Sequence, residues 1–500
     1  MRAALCLAVA TLVGCGSVTP PPAPAPKPVA PAPVAKPAVL TGIWLGTLKT
    51  PSAELRVQIH LDVAVTPPHC ALDSLDQGAM AVPCTIVAAA TEVSLEVPLV
   101  KGVFKATASA DANTLTGTWS QAGSPELPLV LARQATALAA KQPSVEPALP
   151  PVDVEQLQAV LDQDLKKALT AQLAPNTGVG VTIGVVEHGV RKIFSYGDVK
   201  PESVFEIGSI TKTFTGLALA QMVEQKKVKL DEPVRALLPK GTVTAPASGA
   251  EVTLLDLAAQ RSGLPRLPDN LKPADVTNPY ADYDAKALYA FLGNHGVAMI
   301  DKPVFGYSNL GVGLLGQALA DRAGTTYEAL VQKQILAPLG MRDTGVKLTL
   351  VLTKRLVAGH AAGNALQRAW DFQALAGAGA IRSTAADMLT YLEAQLHPDK
   401  LTGKTVEAKT LPAAIAASHE VRGDVGGGMH IALNWFKIDD KGSYWHNGAT
   451  GGFSSYAYFD PAKDYAVIVL FNRSIEDGTF ADDLGKHVVQ RLTGGAATSL

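Results

Sequence analysis

Phe205-Glu206-Ile207-Gly208-Ser209-Ile210-Thr211-Lys212, continuing as Thr213-Phe214-Thr215-Gly216-Leu217-Ala218-Leu219-Ala220, organises the rest of this chain. The second half is nearly all apolar, which predicts a buried helix. Ser209 stands at its start and Lys212 one turn on, so the two side chains share a face. A serine hydroxyl is a weak nucleophile until a base accepts its proton. A lysine amine serves as that base once burial or a neighbouring cation lowers its pKa. The helix N-terminus adds backbone N–H dipoles that favour developing negative charge. Ser-x-x-Lys alone is weak evidence, since about one or two arise by chance in a chain this long.

Competing signatures are missing. There is no Gly-x-Ser-x-Gly elbow, no His-Glu-x-x-His and no Gly-x-x-x-x-Gly-Lys phosphate loop. The four cysteines are Cys6, Cys15, Cys70 and Cys84, so no thiol nucleophile or Cys-ligated zinc lies in the C-terminal part. With 43 Lys+Arg against 45 Asp+Glu, the 500-residue chain has no electrostatic footprint for nucleic acid. At 47 % hydrophobic and 18 % charged it has apolar content for sizeable cores, which excludes global disorder.

Around the serine, the patterning predicts an α+β domain over 153–500. Val154, Leu157, Leu161, Leu165, Ala168 and Leu169 recur at helical spacing. Val179–Val186 and Val190–Tyr196 flank Glu187-His188-Gly189, a hairpin signal. Asn309–Arg322 and Thr384–Leu396 read as helices, the latter opening with the capping-box spacing Thr384-x-x-Asp387. Tyr444–His446, Phe453–Phe459 and Tyr465–Phe471 read as strands and Asp482–Leu492 as a final helix. The antiparallel sheet is therefore built from both ends of the segment, with a helical subdomain between them.

Two further elements accompany Ser209-x-x-Lys212. One is Gly306-Tyr307-Ser308-Asn309-Leu310-Gly311. The other is Tyr444-Trp445-His446-Asn447-Gly448-Ala449-Thr450-Gly451-Gly452-Phe453. Ser-x-x-Lys, Tyr-x-Asn and His-x-Gly in this order resemble the serine β-lactamase and penicillin-binding superfamily. The resemblance is to the branch of class C β-lactamases, DD-peptidases and related esterases. Arg261-Ser262-Gly263-Leu264-Pro265, the run Gly377 to Met388, and Gly451 to Tyr456 support it. It implies that Ser209 forms an acyl-enzyme, Lys212 takes its proton, and Tyr307 shuttles protons as a phenolate stabilised by Lys212. It further implies that Asn309 holds the substrate amide and His446 faces the ligand. Gly448 would let the substrate lie close to the strand, and the N–H groups of Ser209 and Ala449 would form the oxyanion hole. No metal or organic cofactor is implied.

Two departures from the family pattern stand out. His446-Asn447-Gly448 replaces Lys-Thr-Gly, and Gln260-Arg261-Ser262-Gly263-Leu264 replaces His-x-Ser-Gly-Leu. Protonated His446 would anchor an anionic substrate, and affinity would then fall as pH rises through the imidazole pKa. The expected function is a serine hydrolase cleaving a β-lactam or D-amino-acid peptide. The alternatives are a carboxylesterase of the same fold and a non-catalytic ligand-binding module.

Ahead of this domain, residues 1–15 carry Arg2 and then a short apolar run, too short to span a bilayer. Leu12-Val13-Gly14-Cys15 resembles a bacterial lipobox, which implies cleavage, lipidation of Cys15 and a cell-envelope location with a membrane anchor. Residues 16–39 form a Pro/Ala-rich linker. In 40–135, Leu55, Val57, Ile59, Leu61, Val63 and Val65 alternate with Arg56, Gln58, His60, Asp62 and Ala64. Glu92–Val97 and Val103–Ala108 alternate similarly. This predicts a small all-β domain, a lipocalin-like barrel or a sandwich, with a possible Cys70–Cys84 disulfide. Residues 136–152 form a second linker.

Overall fold

The computed structural model describes residues 40–496, apart from 50–53, 66–67, 76–78, 90, 99–101, 122–125, 136–147, 167–169, 171–172, 174–175, 248, 300–303, 362–363, 439–440 and 475–478. The expected leader at 1–15 with its Cys15, the linker at 16–39 and most of that at 136–152 lie outside the described residues. The chain divides into two compact units, residues 1–144 and 145–500.

In the first unit nine antiparallel strands follow one another. They are β1 (Gly42–Lys49), β2 (Glu54–Asp62), β3 (His69–Ser74), β4 (Ala79–Pro83), β5 (Thr85–Ala89), β6 (Glu92–Val97), β7 (Gly102–Ala108), β8 (Thr114–Gln121) and β9 (Leu127–Gln134). Their order is β4-β3-β2-β1-β9-β8-β7-β6-β5. Only Cys84 separates β4 from β5, so the two ends of the sheet are halves of one run and the sheet closes into an up-and-down barrel. Trp44, Ile59, Leu95, Phe104, Leu115 and Leu131 fill it. Cys70 and Cys84 are disulfide-bonded across this closure. The alternation expected to run to Val65 stops at Asp62, and Val65 is exposed. Gln58, expected on a solvated face, is buried, and its Nε2 donates to Asp73 Oδ2 at 3.1 Å.

The second unit is built on an eight-stranded antiparallel sheet. Its strands are β10 (Gly180–Glu187), β11 (Val190–Gly197), β12 (Gly423–Gly426), β13 (Met429–Ile431), β14 (Phe436–Ile438), β15 (Ser443–Ala449), β16 (Ser454–Asp460) and β17 (Tyr465–Phe471). The order β11-β10-β17-β16-β15-β14-β13-β12 joins the N-terminal hairpin to the C-terminal strands, as the patterning predicts. The hairpin turns at His188 and Gly189, both at positive φ, the conformation a two-residue turn requires.

Six helices matter for the site: α1 (Leu157–Asp164), α2 (Thr211–Glu224), α3 (Asn309–Ala323), α4 (Ala385–Leu396), α5 (Val406–Ser418) and α6 (Phe480–Thr493). The central strands β10, β17 and β16 are buried along nearly their whole length because both faces are covered. Val181, Ile183, Val185, Val467 and Val469 pack with Leu157 and Leu161 of α1 and Leu484 and Val488 of α6. Val186, Ala466, Ile468 and Leu470 join Phe214 of α2 and Met388, Leu389 and Leu392 of α4 in the larger core. Side chains that alternate along one strand are thus divided between two layers. Helix α2 is buried on all sides from Thr211 to Met222. Its polar groups are satisfied locally, with Thr213 Oγ1 donating to Ile210 O and Thr215 Oγ1 to Gly377 O, each at 2.8 Å. The expected capping box on α4 is half made. Thr384 accepts from Asp387 N, but the Asp387 carboxylate accepts from Asp343 N and Thr344 Oγ1 instead.

Candidate active site

Ser209 lies in a 3-10 turn, Gly208–Ile210, that runs directly into α2. The turn follows a short strand, Phe205–Glu206, paired with Arg382–Ser383. Lys212 occupies the first turn of α2 and has no exposed surface. Its Nζ lies 2.8 Å from Ser209 Oγ and donates to Ala378 O at 2.7 Å. Burial holds the amine well below the usual lysine range, and the Arg266 cation lowers it further. The neutral amine that this favours is the form that accepts a proton.

Tyr307 immediately precedes α3. Ser308 is the N-cap of that helix, accepting from Gly311 N at 2.8 Å and donating to Pro265 O at 2.7 Å. The cap role therefore does not fall on Asn309, whose side chain is left for other contacts. Asn309 lies beside the Tyr280 hydroxyl, and its Oδ1 is buried without a partner. An unsatisfied buried acceptor costs about 1–3 kcal/mol, and a substrate amide N–H would satisfy it. The Tyr307 ring centre lies 4.9 Å from Lys212 Nζ, and its hydroxyl stands on the Ser209 side. Burial pushes the phenol up to about 12, outweighing Ser209 and Arg266, which both lower it. That shift opposes the phenolate that the resemblance implies. A lysine held toward its neutral form supplies little charge to stabilise one.

β15 brings the third element alongside. The His446 ring centre is 6.3 Å from that of Tyr307, and the residue is 1 % exposed. Its Nδ1 donates to Asn447 O at 2.6 Å, which leaves Nε2 as an acceptor. Burial pulls the imidazole down to about 3. That shift opposes the titrating cation expected at His446. Gly448 also answers to a constraint within the fold. A methyl group there would stand 2.0 Å from Ile207 O, so the glycine lets β15 close on the nucleophile's own turn. At Gly208 a methyl would stand 2.5 Å from Ala449 N, which brings the Ala449 amide against the same turn.

Several contributors were given no role by sequence reasoning. Gln260 is buried and brackets the Tyr307 segment. Its Oε1 accepts from Ser308 N at 2.8 Å and its backbone O from Gly306 N at 2.7 Å. Arg261, at the variable position of the His-x-Ser-Gly-Leu pattern, binds Asp256 Oδ1 at 2.8 Å and Arg422 O at 2.9 Å, a scaffold role. Arg266, next to a quoted motif, has its guanidinium 5.3 Å from the Tyr307 ring centre. Among the described residues no group of three His, Cys, Asp or Glu side chains is placed to hold a metal ion.

Known proteins share the sequence pattern and the fold of this unit. The Beta-lactamase family model matches residues 165–490. D-alanyl-D-alanine-carboxypeptidase/endopeptidase AmpH of Escherichia coli is 28 % identical over 311 residues, 59 % of this chain and 80 % of that protein. A Beta-lactamase of Pseudomonas fluorescens is 26 % identical over 338 residues, covering 59 % and 88 %. A solved class C β-lactamase superposes with a TM-score of 0.56 at 21 % identity, over 68 % of this chain and 97 % of that one. At that identity the likeness is one of fold.

Proposed function

Since the chain belongs to the Beta-lactamase family and is a serine hydrolase, we propose that it cleaves amide bonds of D-amino-acid peptides through an acyl-enzyme at Ser209, with β-lactams acting as acylating analogues. The observation that carries this reading is the fully buried Lys212 amine, 2.8 Å from Ser209 Oγ. Ser209 Oγ attacks the carbonyl carbon while its proton passes to Lys212. The Tyr307 hydroxyl relays a proton to the leaving nitrogen, and water later releases the acyl group. The N–H groups of Ser209 and Ala449 receive the oxyanion, and Asn309 Oδ1 accepts the substrate amide N–H.

A neutral His446 presents an acceptor on β15 where a lysine would present a cation, so it offers no charge to a substrate carboxylate, whether of a peptide or of a β-lactam. The same neutrality favours a second reading, a carboxylesterase acting on uncharged esters. Export and lipidation at Cys15 belong to this proposal and are supported by residues 1–39 of the sequence alone.

The test is a three-way comparison of benzylpenicillin, a peptide ending in D-Ala-D-Ala and p-nitrophenyl butyrate. Peptide turnover with a slowly released penicillin adduct supports the proposal. Penicillin turnover faster than peptide turnover makes the chain a β-lactamase, and ester hydrolysis alone makes it an esterase.

A further inference from the structure

Charge is unevenly distributed around Ser209. Lys212 is buried, and β15 contributes the uncharged His446. The exposed cation near the nucleophile comes from the loop ahead of α3. Arg266 follows Ser262-Gly263-Leu264-Pro265, and its main chain is tied to the Tyr-x-Asn segment. Leu310 N donates to Arg266 O at 3.1 Å, and Ser308 Oγ donates to Pro265 O at 2.7 Å. These bonds fix the arginine's Cα relative to Tyr307 and Asn309.

The guanidinium carbon stands 5.3 Å from the Tyr307 ring centre. The residue is exposed, and no hydrogen bond or ion pair of its guanidinium occurs among the described residues. An arginine held over an aromatic ring keeps five N–H donors in a planar fork. With those donors unused, it is suited to receive a carboxylate in bidentate fashion. Beside it, Asn309 lies next to the Tyr280 hydroxyl, and the Tyr280 ring stacks on Phe372 at 4.7 Å with Trp370 edge-on at 5.3 Å. The cation therefore shares a neighbourhood with an aromatic wall and with Asn309, which holds the acyl-side amide in the function proposed above.

We propose that Arg266 determines specificity by binding an anionic group on the acyl portion of the substrate. This inference rests on the acyl-enzyme reading. The substrate class it names is an acyl donor with a carboxylate within reach of Arg266, beside an apolar or aromatic group packed on Tyr280, Trp370 and Phe372. Arg266 also lowers the pKa of the Lys212 amine. Its loss therefore slows every substrate somewhat, and the informative quantity is a ratio between substrates.

The experiment uses the full chain and two substrate pairs that differ by one acyl-side carboxylate. They are carbenicillin against benzylpenicillin, and the p-nitrophenyl monoester of glutaric acid against p-nitrophenyl butyrate. The readout is the second-order rate constant for acylation at low and high salt. Wild type should favour the anionic member of at least one pair by about tenfold to a hundredfold, the range for a charged hydrogen bond. Raising the salt should shrink that preference. Arg266→Gln should bring the ratio to one or below, and Arg266→Lys, which keeps the charge without the fork, should fall between. A wild-type ratio near one in both pairs overturns the inference. So does an unchanged ratio in Arg266→Gln with both rates reduced together, which would mean that the arginine only tunes Lys212. If none of the four compounds acylates Ser209, the acyl-enzyme reading fails first and takes the inference with it.

Discussion

Lys212 brings its amine into a site where it has no exposed surface, and that burial decides its protonation. Lys212→Ala and Tyr307→Phe should each slow acylation by about 10²–10⁴-fold, the usual worth of general acid–base help, as measured by stopped-flow acylation. The sign of the pH dependence follows from the base. Only the neutral amine accepts the Ser209 proton, so the rate should climb with pH through the lowered lysine pKa and level off below the ordinary lysine range. Arg266→Gln removes a cation that holds this pKa down, and the acid limb should move to higher pH. His446 is expected to contribute nothing between pH 5.5 and 8, because its imidazole, at about 3, is already uncharged there. Substrate KM measured across that range should be flat on its account. Ser209, Lys212, Tyr307, Asn309 and His446 were legible in the sequence because each sits in a short motif. Their protonation states were not, since burial is set by residues far away in the chain. Arg266 escaped notice for a similar reason. Its importance depends on a backbone bond to Leu310, which no local pattern records.

At the level of elements, β15 and the nucleophile's turn are held together by the absence of a side chain. A methyl at Gly448 would collide with Ile207 O, while Ser455 Oγ donates to that same carbonyl at 2.9 Å. Gly448→Ala should therefore cost about 1–3 kcal/mol, as overpacking does, and displace β15 from Ser209. A thermal melt and an acylation assay check both effects, and the acylation rate should drop by more than the melt alone explains. Gly306→Ala, where a methyl would meet nothing within 4 Å, serves as the stability control. The long elements were readable because their periodicity is strong. β10, β11 and β17 fall within a residue of their expected spans, and α3 and α4 do likewise. Short helices such as Leu254–Ala258 and Tyr327–Val331 were not, because one turn gives too few positions to show a period. The strand through Gln58 was misread in part, since a buried Gln–Asp pair looks like a solvated face when only polarity is counted.

For the whole molecule, each compact unit has its own core, and every residue of the candidate site lies in the second. Whether the first unit is a barrel or a sandwich was undecided in the sequence. Closure depends on β4 and β5 pairing with β3 and β6, contacts that no short pattern reveals. Cys84→Ser should lower the barrel's stability by about 3 kcal/mol, the loop-entropy value for a loop of about 15 residues. Denaturant melts with and without reductant measure that loss, and the Ser209 acylation rate should not change.

The central claim is that Ser209 is the covalent nucleophile. Its most direct test is incubation of the full chain with a fluorescent penicillin, followed by intact-mass measurement and mapping of the labelled peptide. The account predicts one adduct per chain, on the peptide containing Ser209, and none in Ser209→Ala. An adduct that persists in Ser209→Ala, or that maps to any other residue, would contradict it.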